Sequence, residues 1–377
     1  MKFRLASAAL LAAAVASLAT QPAAAPAPLV VHEWGTFTSI AGEDGQATRW
    51  LPHAGPSDLP CFVEHSLYNI KGSLYGTVRM ETPVLYFYAP APITVGVDVV
   101  FREGAITEWY PHAQGTDPRN GQNGWIRWAN VRVTPGGAAE FPIEPGSSHY
   151  YAARATDAAP IEVASQKERF LFYRGVGWFA PPLSATMSAT GEATVWSPSN
   201  EPLGDIIVFD NHGGRIAWGV QRGSTGRLTM ARPAVDDDVT GLQRELVKTL
   251  VANGLYAKEA EAMVATWTDS WFEEGTRIFY VVPRATVDAI LPLAITPMPQ
   301  QVERVFVGRL ELVSAASREA VRSALIANDR AALAKYGRFL EPIGNQLLTS
   351  SAPVERPLLQ ARLGAATSAW VTPRYCQ

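Results

Sequence analysis

The chain has 377 residues, 47% hydrophobic and 18% charged, with a formal net charge of −3. That balance belongs to a chain with a well-packed core and excludes an intrinsically disordered protein. There is no Lys/Arg run and the charge is slightly acidic, so nucleic acid is not an expected partner. The length allows one large domain or two of ordinary size.

Lys2 and Arg4 precede an apolar stretch over residues 5–19, with a small-x-small site at Ser17-Leu18-Ala19 and another near Ala24. This is the layout of a secretory signal peptide. The apolar run is shorter than the about 20 residues that span a bilayer. Residues 1–25 are therefore expected to be signal peptide and leader. The mature chain is expected to be periplasmic or secreted, with no transmembrane segment. In an oxidising compartment Cys61 and Cys376, the only cysteines, are most simply read as one disulfide.

From residue 29 to about 235 the pattern is that of short strands. Runs rich in Val, Ile, Tyr, Phe and Trp occur at Val84–Tyr88, Thr94–Arg102, Trp125–Val133 and Ile161–Val163. Further runs are Phe170–Tyr173, Ala193–Trp196, Ile206–Phe209 and Arg215–Gly219. Turn signals such as Asn120-Gly121, Asn123-Gly124, Pro135-Gly136-Gly137 and His212-Gly213-Gly214 punctuate them. Many short strands without helical periodicity predict an antiparallel, β-sandwich-like domain over 29–235.

The character changes at Asp236-Asp237-Asp238, acids that suit a helix N-terminus. Leu242, Leu246 and Leu250 share a helical face, Asn253-Gly254 is a stop, and Tyr256, Ala260, Met263, Val264, Trp267 and Trp271 form a second stripe. An αα-hairpin over about 239–273 follows. Strands are expected at Thr276–Val282 and Val302–Val313, the latter alternating Phe306, Gly308, Leu310 against Val305, Val307, Arg309, Glu311. Short helices are expected near 317–327 and 329–336, with Ser317 and Asn328 as N-caps and Gly337 as a stop. The fold class is thus mixed α+β and β-rich. An αα-hairpin with further strands and short helices, residues 236–377, packs on the first domain.

Val31-His32-Glu33-Trp34-Gly35-Thr36-Phe37-Thr38 resembles the opening of a family of exported bacterial proteins. Met80–Tyr88 and Ser270–Gly275 belong to the same pattern, so the resemblance covers most of the mature chain. It implies no activity and transfers no site residue.

No H-E-x-x-H, G-x-S-x-G, P-loop, G-x-G-x-x-G or EF-hand loop is present. That disfavours a zinc-protease helix and an α/β-hydrolase nucleophile elbow. His32, His65, His112 and His212 are candidate metal ligands for a divalent transition metal, if the fold makes them converge. Glu33 or Glu108 would then act as general base on a metal-bound water. On a strand, however, His32 and Glu33 point to opposite faces. Trp34, Trp109, Tyr110, Trp125 and Trp128 are candidate ligand-stacking aromatics. Asp269 and Glu273 stand at i and i+4 on the second helix of the hairpin, with Arg277 within reach of either. The competing reading for each histidine is an ordinary hydrogen-bonding role, and for each aromatic a place in the core. The leading expectation is a binding protein for a glycan or another small envelope or extracellular ligand. The alternative is a metal-dependent enzyme of hydrolytic type, and a structural envelope protein is a third possibility.

Overall fold

The first strand, β1 (Ala27–Ala41), carries the His-Glu-Trp-Gly segment and is buried along nearly its whole length. In the computed structural model, residues 27–52, 59–66, 74–115, 123–146, 148–223 and 226–367 are described. The signal segment, the Asn120-Gly121 turn and Cys376 lie outside them, and with Cys376 the expected disulfide pairing. After β1 come β2 (Glu64–His65), β3 (Val78–Tyr88), β4 (Ile93–Phe101), β5 (Gly104–Tyr110), β6 (Gln114–Gly115) and β7 (Gly124–Val133). A 3-10 turn at His149–Arg154 leads to β8 (Ile161–Val163), β9 (Gln166–Glu168), β10 (Leu171–Gly177), β11 (Ser184–Met187) and β12 (Ala193–Trp196). Then follow β13 (Ile206–His212), β14 (Arg215–Gln221), β15 (Leu228–Met230) and the helical hairpin α1 (Val239–Ala252) and α2 (Ala257–Trp271). The chain ends through β16 (Gly275–Val281), α3 (Arg284–Ile290), β17 (Leu293–Thr296), β18 (Pro299–Leu312), α4 (Ala315–Ala327), α5 (Arg330–Ala334), α6 (Leu340–Ser350) and α7 (Arg356–Thr367).

A central sheet of nine strands runs β14-β13-β16-β18-β1-β3-β10-β5-β2. The outer sheet runs β17-β4-β7-β8-β9 with β6 on β7, and a small sheet runs β11-β12-β15. β1 and β18 are parallel, register Val31↔Val302 to Ala41↔Leu312, and β1 and β3 are antiparallel. The fold is mixed α+β and strand-rich, as the sequence pattern indicates. The 235/236 division runs through the central sheet, because β16 and β18 from the second segment pair with β13 and β1 from the first. The two segments therefore share one sheet.

One face of the central sheet packs Val31, Phe37, Leu85 and Phe87 against Val95, Val97, Val99, Ile126 and Trp128 of the outer sheet. The other face lies under helices in two places. The hairpin sets Leu242, Leu246, Leu250, Met263, Trp267 and Trp271 on Trp34, Val84, Tyr86, Phe279 and Val305. The C-terminal helices set Val321, Leu325, Phe339, Leu340 and Leu359 on Ile40 and Trp50. A strand covered on both faces has no wet side, so the alternation of β18 divides two buried layers. β4, at the protein surface, keeps the half-wet alternation expected for it. Among the described residues, no helix is long and apolar enough to cross a membrane.

Several boundaries differ from expectation. Ser314, not Ser317, caps α4 by accepting from the Ser317 N–H. Asn328 closes α4 in the left-handed region at φ 55°, and Asp329 caps α5. Gly337 opens a short 3-10 turn that leads straight into α6. Helices α3, α6 and α7 form where no helix is expected. The apolar stripe of α7 is thin, with only Leu359 and Leu363 buried.

Candidate functional site

Between the two helical covers, the same face of the central sheet carries a belt of buried charge. Alternation on β1 places Trp34, Thr36, Thr38 and Ile40 on this face. Thr38 pairs with Arg309 on β18 and with Arg79 on β3, and Thr36 pairs with Glu81. On β16, Arg277 lies opposite Glu311 and Phe279 opposite Arg309. Arg79, Glu81, Arg277, Arg309 and Glu311 are all buried.

Arg309 Nε and Arg277 Nε approach the same oxygen, Glu311 Oε1, at 2.7 and 2.9 Å. Arg309 Nη2 donates to Glu273 Oε1 at 2.9 Å, and its guanidinium lies over the Phe339 ring. Arg277 Nη1 and Nη2 donate to the carbonyls of Trp271 and Glu274 at 2.7 and 2.8 Å, fixing the end of α2. Glu81 Oε1 accepts from Arg338 Nη1 at 2.6 Å and lies 3.4 Å from Arg79 Nε. Further along, Arg174 Nη2 donates to Glu108 Oε1 at 3.0 Å, and His65 Nδ1 lies 3.9 Å from that oxygen.

Burial and neighbouring charge pull in opposite directions here. Burial works against the charge of Arg309, but Glu311, Glu273 and Glu81 more than offset it and raise its pKa. For Arg277 burial prevails and the pKa is lowered; Glu311 opposes this and the neighbouring Arg309 adds to it. Burial also raises the Glu273 pKa, against the pull of Arg309, Arg277 and Arg338. Breaking one such buried pair typically costs about 3–5 kcal/mol, whereas well-packed apolar replacements of the whole group are often neutral. Stability alone is therefore a poor reason for this belt.

Two further observations mark it. The hydroxyls of Thr36, Thr38 and Thr82, the Trp271 indole N–H and Arg309 Nη1 are buried without a hydrogen-bond partner. Each such orphan costs about 1–3 kcal/mol. Thr82 also stands at φ 47°, where the β1–β3 register shifts between Trp34 and Thr36. A β-branched residue in the left-handed region is strained, by about 1–3 kcal/mol. Strain and unpartnered polar groups thus occur together on this buried face.

The residues singled out in the sequence fall in several places. His32 is on the hairpin-facing side of β1, its Nδ1 2.7 Å from Glu259 Oε2 and its ring 4.3 Å from Tyr256. Glu33 faces the sandwich core, accepting from Arg304 Nε at 2.5 Å and the Tyr173 hydroxyl at 2.6 Å. His65 and Glu108 reach the end of the belt. His112 is exposed, 2.9 Å from Glu64 Oε1. His212 Nε2 is 3.0 Å from Asp210 Oδ1, beside a cavity of about 80 Å³ that Arg232 and Thr276 also line.

The expected convergence of His32, His65, His112 and His212 is thus corrected: each faces its own carboxylate. Among the described residues no group of three or more His, Cys, Asp or Glu is placed to hold a metal ion. Glu33, enclosed by Arg304 and Tyr173, is likewise not placed as a general base for such a site.

The aromatics divide. Trp34, Tyr110 and Trp128 are core residues, Trp128 donating to the Pro111 carbonyl at 3.0 Å. Trp109 is half-buried and donates to Glu64 Oε2 at 2.9 Å. Trp125 keeps 37% of its surface exposed, on the outward face of the outer sheet. Asp269 and Glu273 do not share a helix face, since α2 ends at Trp271. Asp269 meets His149 at 3.1 Å, Glu273 meets Arg309, and Arg277 pairs with Glu311 instead of either acid. The belt's own members, above all Arg309, Glu311 and Glu81, are absent from the sequence reading of the site. Their one signal is that charged residues interrupt strands otherwise made of apolar side chains.

No family model matches the chain, and no curated protein sequence matches it. Among solved structures it is similar to the Fcho1 Mu homology domain of Danio rerio with bound Eps15 peptide. The TM-score is 0.29 at 7% identity, over 76% of this chain and 97% of that one. A likeness of that degree carries no argument about fold or function.

Proposed function

We propose that this is an exported binding protein whose ligand, a glycan fragment or another small polar molecule of the envelope or surroundings, is held in the charged belt. The observation that carries the reading is the set of unpartnered buried groups, Thr36, Thr38, Thr82, Trp271 and Arg309 Nη1, beside the Arg277–Glu311–Arg309 cluster. A sugar or related polyol supplies the dispersed donors and acceptors that such groups lack.

The test is calorimetric titration of the mature chain with envelope saccharides, repeated with Thr38→Val. Removing an unpaired buried hydroxyl stabilises the free protein or leaves it unchanged. If the belt is the site, the same variant loses affinity about tenfold. Unchanged affinity in a folded Thr38→Val protein rules the belt out.

A second reading has one observation behind it. Trp125 stands on the outer sheet opposite Val100, next to the Asp98–Arg127 pair, on a face of polar side chains where a saccharide could stack. The metal-dependent hydrolase is tested by metal analysis of the mature protein. Near-stoichiometric transition metal that is lost with His32→Ala would favour it.

A further inference from the structure

We infer that the cleft beside the turn after β7 is a second binding site, for a small organic acid whose carboxylate is taken by Arg169. This site is separate from the belt and does not depend on it.

The cleft has a volume of about 480 Å³, which lies within the range of small-molecule sites. It forms where the end of β3 and the turn after β7 meet the segment 156–160 and the Arg169 side chain. Two backbone bonds fix its walls. The Ala159 N–H donates to the Phe87 carbonyl at 2.9 Å, and the Thr134 N–H to the Pro160 carbonyl at 3.0 Å. Ala89, Pro135, Pro160 and Tyr88 give it apolar surface for the body of a ligand.

Arg169 is half-buried on this wall. Its Nη1 donates to the Ala158 carbonyl at 2.7 Å, and its guanidinium lies over the Phe141 ring. These contacts order the side chain before a ligand arrives, which lowers the cost of binding. Nε is buried without a hydrogen-bond partner, and Nη2 has none among the described residues. No carboxylate of the described residues forms an ion pair with this guanidinium, and the two nearest in sequence are engaged elsewhere. Glu168 is gripped by Arg154, whose Nε and Nη2 donate to it at 2.9 and 2.6 Å. Asp157 accepts from Lys258 Nζ at 2.6 Å.

Nε and Nη2 form one edge of a guanidinium, with two parallel N–H donors that match the two oxygens of a carboxylate. Arg154 on Glu168 is that pairing completed within the protein; on Arg169 the same edge is open. Thr156 adds a donor. Its Oγ1 accepts from the Ala158 N–H at 3.4 Å, which leaves the hydroxyl proton for a ligand oxygen. A carboxylate, which only accepts, suits this set, whereas the amide of the same acid turns an NH2 group towards donors.

The experiment is calorimetric titration of the mature chain with benzoate, benzamide and phenyl phosphate at one ionic strength. Benzoate should bind at least about tenfold tighter than benzamide, and Arg169→Gln should weaken it about tenfold, as loss of a charge-assisted pair requires. Equal binding of benzoate and benzamide overturns the inference. Phenyl phosphate binding tighter than benzoate overturns the carboxylate in favour of a phosphate. If none of the three binds and none raises the melting temperature, the cleft is not a site for such acids. Should Arg169→Gln fail to fold, NMR of the unsubstituted protein decides: the Arg169 Nε–H resonance moves downfield as benzoate is added, and an unmoved resonance overturns the assignment.

Discussion

His32 and Glu33 adjoin on β1 yet serve different layers. The imidazole meets Glu259 of the helical hairpin, and the carboxylate meets Arg304 in the sandwich core. Period-two geometry forces that separation on any adjacent pair in a strand. The His-Glu dipeptide therefore ties two sides of the sheet down and does not form one catalytic pair.

Glu259 accepts from the Tyr88 hydroxyl at 2.7 Å and the Tyr256 amide at 2.9 Å, and its Oε2 lies 2.7 Å from His32 Nδ1. Glu259→Ala leaves those groups without their partner and should cost at least about 3 kcal/mol. Urea unfolding measures it. A loss below about 1 kcal/mol would show that the hairpin does not depend on this anchor.

Arg304→Met strands the Glu33 carboxylate in the core and should cost about 3–5 kcal/mol. Adding Glu33→Leu should restore a large part of that loss, although Arg304 also holds Asp288 and the Leu291 carbonyl. The double-mutant cycle decides it: strict additivity would mean that the two side chains are not coupled.

Thr82→Gly relieves the left-handed backbone at φ 47° and should stabilise the protein by about 1 kcal/mol. It also removes a belt hydroxyl, so affinity should fall while the melting temperature rises. A falling melting temperature would show that no strain is stored there.

Burial opposes the charge of Asp210, but hydrogen bonds from His212, Thr276 and Arg232 carry its pKa down to about 2. His212 is shifted up, first by its hydrogen bond to Asp210 and against burial. The Asp210 contribution to stability is therefore full above the unfolded carboxylate value, about 4, and is lost as pH falls towards about 2. The His212 contribution is full below about 6.5 and is lost as pH rises through its raised folded value. NMR titration should show His212 moving back towards its ordinary value in Asp210→Asn. An unmoved His212 would refute the pairing.

Trp125→Ala should change affinity less than about twofold, because the side chain stands on the outer sheet, away from the belt. A tenfold loss of saccharide affinity would move the binding site from the belt to the outer sheet.

The hairpin was legible because Leu242, Leu246 and Leu250 and the Trp267/Trp271 stripe repeat at helical spacing over two full helices. β18 was legible from its alternation. The belt was not, since Arg309 and Glu311 occupy positions that in a two-layer sheet face water, and nothing local announces the helices that cover them. The aromatics misled for a related reason. Trp34, Tyr110 and Trp128 sit among polar or turn residues in sequence, while the contacts that bury them come from distant strands. Pairing of β1 with β18 is invisible to any local pattern.

That pairing also sets the order in which the molecule can be completed. The neighbouring strands β1 and β18 of the central sheet lie far apart in the chain, and the Arg304–Glu33 bond alone spans 271 positions. A chain still missing β18 presents β1 with one long edge open, a surface that invites pairing with other chains. Contacts this distant close late and slowly. The protein should therefore acquire protease resistance only when its last strand is in hand, and fragments ending near residue 235 should aggregate instead of forming a smaller domain.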